Sequence, residues 1–111
     1  KIKNISAYNY LKKRHIADEI IEAHAITGTW RFNGKTVPAV GFPYRTGDTI
    51  NAVKWRSADD EKQFSQENVC EDFFNLDSYV KGNDILICEG EVDALAWMSC
   101  ELPEHLTVME G

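Results

Sequence analysis

The stretch Asp84-Ile85-Leu86-Ile87-Cys88-Glu89-Gly90-Glu91-Val92-Asp93-Ala94-Leu95-Ala96-Trp97-Met98-Ser99-Cys100 decides the fold. Ile85 to Cys88 form a short unbroken apolar run, as expected of a strand buried on both faces in a parallel sheet. Glu89-Gly90 interrupts it at once. Glu91 to Cys100 then opens with acids and continues with strong helix formers, which predicts a helix. Leu106-Thr107-Val108-Met109 reads as the next strand. The unit is β-α-β, so this half of the chain is expected to be α/β with a parallel sheet. Ligands in such sheets bind beyond the carboxyl ends of the strands. Glu89 lies at such an end, and Gly90 is suited to a tight turn that leaves space beside it.

Upstream the pattern is different. Ser6 is a candidate N-cap for a helix over 7–14, whose basic end, Lys12-Lys13-Arg14, suits the helix dipole. Ile16, Ile20 and Ile21 mark one apolar face of a second helix over 17–24, with Gly28 as its stop signal. Val37, Val40, Phe42 and Tyr44 are strand formers, Thr46-Gly47-Asp48 signals a turn, and a strand is predicted over 49–56. Ser57–Glu61 reads as a loop, and 62–66 as a short further strand. Phe73-Phe74-Asn75-Leu76 is apolar enough for a core. The expected class is therefore α+β: N-terminal helices and a small antiparallel sheet leading into an α/β half.

Composition bounds the function. The 111 residues are 43% hydrophobic and 27% charged, which suits one packed domain rather than a disordered tail. No apolar run approaches the roughly 20 residues of a membrane span, and Lys1-Ile2-Lys3-Asn4 has no signal-peptide character. The chain lacks an initiator Met and stops at Met109-Glu110-Gly111, so the expectation is a segment cut from a longer protein. Cys70, Cys88 and Cys100 are odd in number and widely spaced, which predicts reduced thiols in a cytosol-like compartment. His15, His24 and His105 are too scattered for a metal motif.

The net charge of −6 conceals two unequal parts. Residues 1–62 hold 11 Lys/Arg and 7 Asp/Glu, while residues 63–111 hold one Lys and 11 acids. A basic part can meet phosphates, and an acidic part can offer the hard oxygen ligands that divalent cations prefer. Glu89, Glu91 and Asp93 cluster at the strand end, where carboxylates suit metal binding and phosphoryl transfer. Glu91 and Asp93 also fall in the first helical turn, where acids stabilise the dipole without any further role. Glu89 precedes the helix, so that account does not cover it.

Four segments resemble one family. Ile85 to Ala96 resembles the first motif of the TOPRIM domain: hydrophobics, Glu-Gly, two residues, then Asp-Ala-Leu. Its Glu-Gly-Glu-x-Asp-Ala-Leu form is similar to that of DnaG-type primases and phage primase–helicases. Tyr10-Leu11-Lys12-Lys13-Arg14-His15-Ile16 resembles their Tyr-Leu-x-x-Arg-Gly-Ile segment, with His15 in place of the glycine. Phe42-Pro43-Tyr44-Arg45 and Val53-Lys54-Trp55-Arg56-Ser57 resemble their two basic strands, and Lys62-Gln63-Phe64-Ser65-Gln66 the segment after them.

The resemblance implies a basic N-terminal primase-core subdomain over 1–66 and the first part of a TOPRIM domain over 67–111. The parent would make RNA primers on single-stranded DNA from NTPs with Mg2+ or Mn2+. A replicative helicase would act in cis or in trans, in the cytoplasm of a bacterium or phage-infected cell. Glu89 would be catalytic and, with Asp93, a metal ligand. Arg45, Lys54, Arg56 and Lys62 would bind nucleotide or nucleic acid, and Tyr44 and Trp55 could stack bases or simply pack. The family's Asp-x-Asp motif does not occur in these residues, so this segment alone is expected to be inactive. Other readings are a non-catalytic DNA-binding scaffold of a replicative helicase, or another TOPRIM protein such as a topoisomerase or nuclease.

Overall fold

The computed structural model describes residues 2–111. Two short helices, α1 (Ile5–Lys12) and α2 (Asp18–His24), precede four strands: β1 (Ile26–Phe32), β2 (Lys35–Thr46), β3 (Thr49–Ser57) and β4 (Phe64–Glu67). A 3-10 turn (Leu76–Ser78) leads to β5 (Asp84–Cys88), α3 (Glu91–Met98) and β6 (Leu106–Glu110). The fold is mixed α+β, as expected: β1-β2-β3-β4 form an antiparallel sheet in that order, and β5 and β6 a separate parallel pair. No helix among the described residues is long and apolar enough to cross a membrane.

Local chemistry explains most boundaries. Asn4, not Ser6, caps α1: its side-chain oxygen accepts from the Ala7 backbone N–H at 3.0 Å. After α1 the chain turns at His15, whose φ of +62° is the left-handed conformation that glycine adopts most easily. Gly28 does not stop α2. That helix ends at His24 because Ala25 is extended, and Gly28 lies inside β1 opposite Ala39. Asn33 and Gly34, at φ +50° and +80°, make the tight β1–β2 turn, for which two positive φ values are needed.

One core joins both parts of the chain across 66/67. Ala7, Tyr10 and Leu11 of α1, Ile21 of α2, and Val40, Phe42 and Tyr44 of β2 pack with Phe74, Cys88, Ala94, Leu95 and Val108. The other face of the antiparallel sheet holds a smaller cluster of Phe32, Ala39, Val53 and Trp55. Trp30 stacks on Trp55 across the sheet, at 4.7 Å between centroids and 7° between planes. Gly41 lies under that stack: a β-carbon there would come within 2.9 Å of Trp55 Cζ3 and 3.1 Å of Val53 Cγ1. Trp55 cannot readily withdraw, since its indole N–H donates to Glu67 Oε1 at 3.1 Å. Gly41→Ala is expected to cost about 1–3 kcal/mol through overpacking. Urea unfolding checks this, and an unchanged midpoint would mean that the indole yields freely.

The prediction that β5 is buried on both faces fails. Leu86 and Cys88 turn toward the core with Val108, whereas Ile85 and Ile87 are 46% and 51% exposed. Alternate side chains of a strand point to opposite faces, and in this two-strand pair α3 and the core cover one of them.

Candidate active site at the Glu-Gly turn

Because β5 and β6 are parallel and in register, Cys88 pairs with Glu110 and both carboxyl ends emerge together. Glu89 and Gly90 continue from β5 into α3. Gly90 is the helix N-cap with φ −139°, an extended conformation open to any residue. Glycine therefore contributes space rather than conformational freedom here. A β-carbon at Gly90 would meet only Asp93 Oδ2, at 3.7 Å.

The strand ends face the core side of the antiparallel sheet. Lys54 of β3, Phe64, Ser65 and Gln66 of β4, and Glu89, Gly90, Glu91 and Glu110 line one open pocket of about 500 Å³. Lys54 lies opposite Gln66 in the β3–β4 register, which carries it to the pocket edge. Glu89 is exposed at the rim.

Glu91 and Glu110 are tied down from below. The Tyr44 hydroxyl donates to Glu91 Oε2 at 2.6 Å and lies 3.0 Å from Glu110 Oε1. Lys54 Nζ stands 3.3 Å from the same Glu91 Oε2, and 5.5 Å from the Tyr44 ring centroid. Tyr44 is 3% exposed and Glu110 9%. Burial, then the Glu91 hydrogen bond and the two carboxylate charges, push the Tyr44 hydroxyl far above its ordinary pKa, so it stays a donor. Burial and the Glu91 charge raise the Glu110 carboxyl pKa, against the opposing pull of Tyr44 and Lys54.

The expected site residues separate. Lys54 and Arg56 alternate on one face of β3, and Lys54 alone joins Glu89 in the pocket. Arg56 lies over the Tyr10 ring at 4.7 Å and donates to the Ser57 carbonyl at 3.1 Å. Arg45 follows Tyr44 on β2, so alternation turns it to the opposite face, out of the pocket. It donates instead to the Ala23 carbonyl at 3.2 Å and borders a separate cavity with His24, Phe74 and Asp77. Lys62 is exposed in the β3–β4 loop with φ +52°, not on a strand, because β4 begins only at Phe64. Asp93 folds back toward Gly90 and is not among the pocket-lining residues. Tyr44 and Trp55 are buried, so neither ring is open to a base in this structure.

One site residue, Glu110, escapes a reading of sequence alone, and a second, Glu91, is visible there only as a strand-end acid that a helix start can explain. Glu91 does start a helix, but its side chain also turns into the pocket. Glu110 comes to the site through parallel pairing; the one available signal is that the next strand of a β-α-β unit ends beside the first. A metal ion needs several oxygen ligands together, and among the described residues no three His, Cys, Asp or Glu are grouped to hold one. Glu91 already takes the Tyr44 hydroxyl and the Lys54 ammonium, which leaves Glu89 as the exposed carboxylate of the pocket. Compared with protein-family profiles, curated proteins and solved structures, the chain finds no match.

Proposed function

We propose that this chain is part of a DNA primase of the phage or plasmid primase–helicase type, in which Glu89 serves nucleotidyl transfer and Lys54 meets a phosphate. One observation carries this reading. A lysine from the basic sheet and the glutamate of the Glu-Gly turn line one pocket at the carboxyl ends of a parallel pair. An ammonium and an open carboxylate lining one pocket suit chemistry on a polyanion, with one group binding charge and the other accepting a proton. Single-stranded DNA and NTPs are the proposed partners, with a replicative helicase in cis or in trans. Mg2+ or Mn2+ is the proposed cofactor of the longer protein. Arg56, two residues along the same face, extends the basic surface toward Phe64.

The scaffold reading has one observation in its favour: two of the three pocket carboxylates are engaged by Tyr44 or Lys54. DNA binding is common to both readings, and primer synthesis separates them.

Binding is the first test. The acidic residues 63–111 oppose a polyanion, so a single-stranded oligonucleotide should bind this chain weakly and lose affinity as salt rises. Lys54→Ala/Arg56→Ala should reduce affinity several-fold. It should also flatten the dependence of log K on log salt by about 1.4, for two lost single-strand phosphate contacts. Unchanged affinity and slope in fluorescence anisotropy would remove these two residues from nucleic-acid recognition.

A further inference from the structure

We infer that Tyr44 is a positioning residue for Lys54: its hydroxyl takes the closer contact on the carboxylate oxygen that both address, and so keeps the ammonium available to a phosphate-bearing ligand. The inference rests on the phosphate-binding role proposed above for Lys54.

Two donors converge on one acceptor. The Tyr44 hydroxyl and Lys54 Nζ both address Glu91 Oε2, at 2.6 Å and 3.3 Å. A close ammonium–carboxylate hydrogen bond is about 2.7–2.9 Å long, so the tyrosine holds the near position and the lysine stands off. The hydroxyl is well fixed. Glu110 Oε1 flanks it at 3.0 Å, and the ring is held edge-on by Phe74 at 5.4 Å between centroids. Tyr44 has a single O–H to give, and the shorter contact directs it to Glu91. The Lys54 side chain is 38% exposed and the Glu91 side chain 12%, so the lysine is the more accessible partner. The other charged groups lining the pocket, Glu89 and Glu110, are acids that an incoming anion must also face.

Without the hydroxyl, Lys54 would be the sole side-chain donor to Glu91 Oε2 and could close on it from 3.3 Å. A closer pair would then have to be broken before an anion could take the ammonium, and binding would weaken by that cost. The inference therefore predicts that the loss at Tyr44 passes through the charge of Glu91, which a purely structural role would not require.

The test is a titration of inorganic tripolyphosphate into the 111-residue chain at low salt, followed calorimetrically for Tyr44→Phe, Glu91→Gln, the double variant and Lys54→Ala. Tyr44→Phe should weaken binding about tenfold, the scale of one hydrogen bond to a charged group. Glu91→Gln should tighten it, and the double variant should bind as well as Glu91→Gln alone, a coupling that the cycle isolates. Wild-type affinity in Tyr44→Phe, or a double variant as weak as Tyr44→Phe, would overturn the inference. Should Tyr44→Phe fail to fold, Glu91→Gln alone decides, since unaltered affinity there shows that Glu91 does not restrain Lys54. Loss of binding in Lys54→Ala with an unaffected Tyr44→Phe overturns this inference and leaves the phosphate role standing. Undiminished binding in Lys54→Ala overturns both.

Discussion

Phe74→Ala is expected to destabilise this protein by about 3–5 kcal/mol, the range for emptying a buried aromatic site. Phe74 is 1% exposed and lies outside every helix and strand. Its ring is edge-on to Phe42 at 6.1 Å, to Tyr44 at 5.4 Å and to His24 at 6.4 Å. Its backbone exchanges two hydrogen bonds with Glu110, at 2.9 and 3.2 Å. The ring thus packs β2 and α2 against the segment that borders β6. Truncation would remove contacts on three sides, and the fixed backbone limits how far the site can collapse. Small domains have about 5–15 kcal/mol in total, so this change alone would consume much of it. Phe73→Ala is the matched control, because that ring is half exposed and should cost much less. Urea unfolding of both variants checks the pair. Equal, small losses would show that the core does not depend on this residue.

How much of this was legible depends on the range of the interaction concerned. The β5–α3–β6 unit can be read from residues 84–110 because its signals are local: an apolar run, an acidic helix start, a second apolar run. The Thr46-Gly47-Asp48 turn and β3 are legible for the same reason. Gly28 misleads, since propensity makes it a helix stop while pairing with β2 makes it part of a strand. Asn33-Gly34 is a hairpin signal in plain view, yet the strand formers around it suggest no β1 partner until the register is known. Phe74 is evidently apolar, but nothing local marks it as central while Phe73 beside it is half exposed. In the site, Glu89 is legible from its place after β5. The Tyr44 hydroxyl is not, because its acceptors lie 47 and 66 residues away. Its inward position on β2 identifies a core residue and says nothing about a polar tip. Arg45 misleads because its basic charge suggests a phosphate contact, while alternation along β2 turns it away from the face that carries Tyr44.

Glu89→Gln, in a longer protein that makes primers, is expected to slow primer synthesis by roughly a hundredfold or more, the scale of a positioned general acid or base. The change isolates charge from shape. Glu89 is exposed at the pocket rim and contributes little to packing, so the melting temperature of this chain should scarcely move. Single-stranded DNA affinity should also be nearly kept, since the lost charge repels phosphate if it acts on DNA at all. What the amide loses is a proton acceptor and an anionic oxygen in the pocket that Lys54 also lines. Asp93→Asn makes the comparison informative. Asp93 lies in the first turn of α3 and folds toward Gly90, where its charge favours the helix dipole by about 0.3–1 kcal/mol. Its loss should lower stability slightly and leave most of the synthesis intact. The two carboxylates, four residues apart, should therefore fail in opposite ways: one in rate without stability, the other in stability with little loss of rate. Steady-state primer synthesis and thermal melts on the same preparations separate these outcomes. Near-normal synthesis by Glu89→Gln would make the Glu-Gly turn a structural joint, and the scaffold reading would then account better for a pocket whose remaining acids are already held by Tyr44 and Lys54.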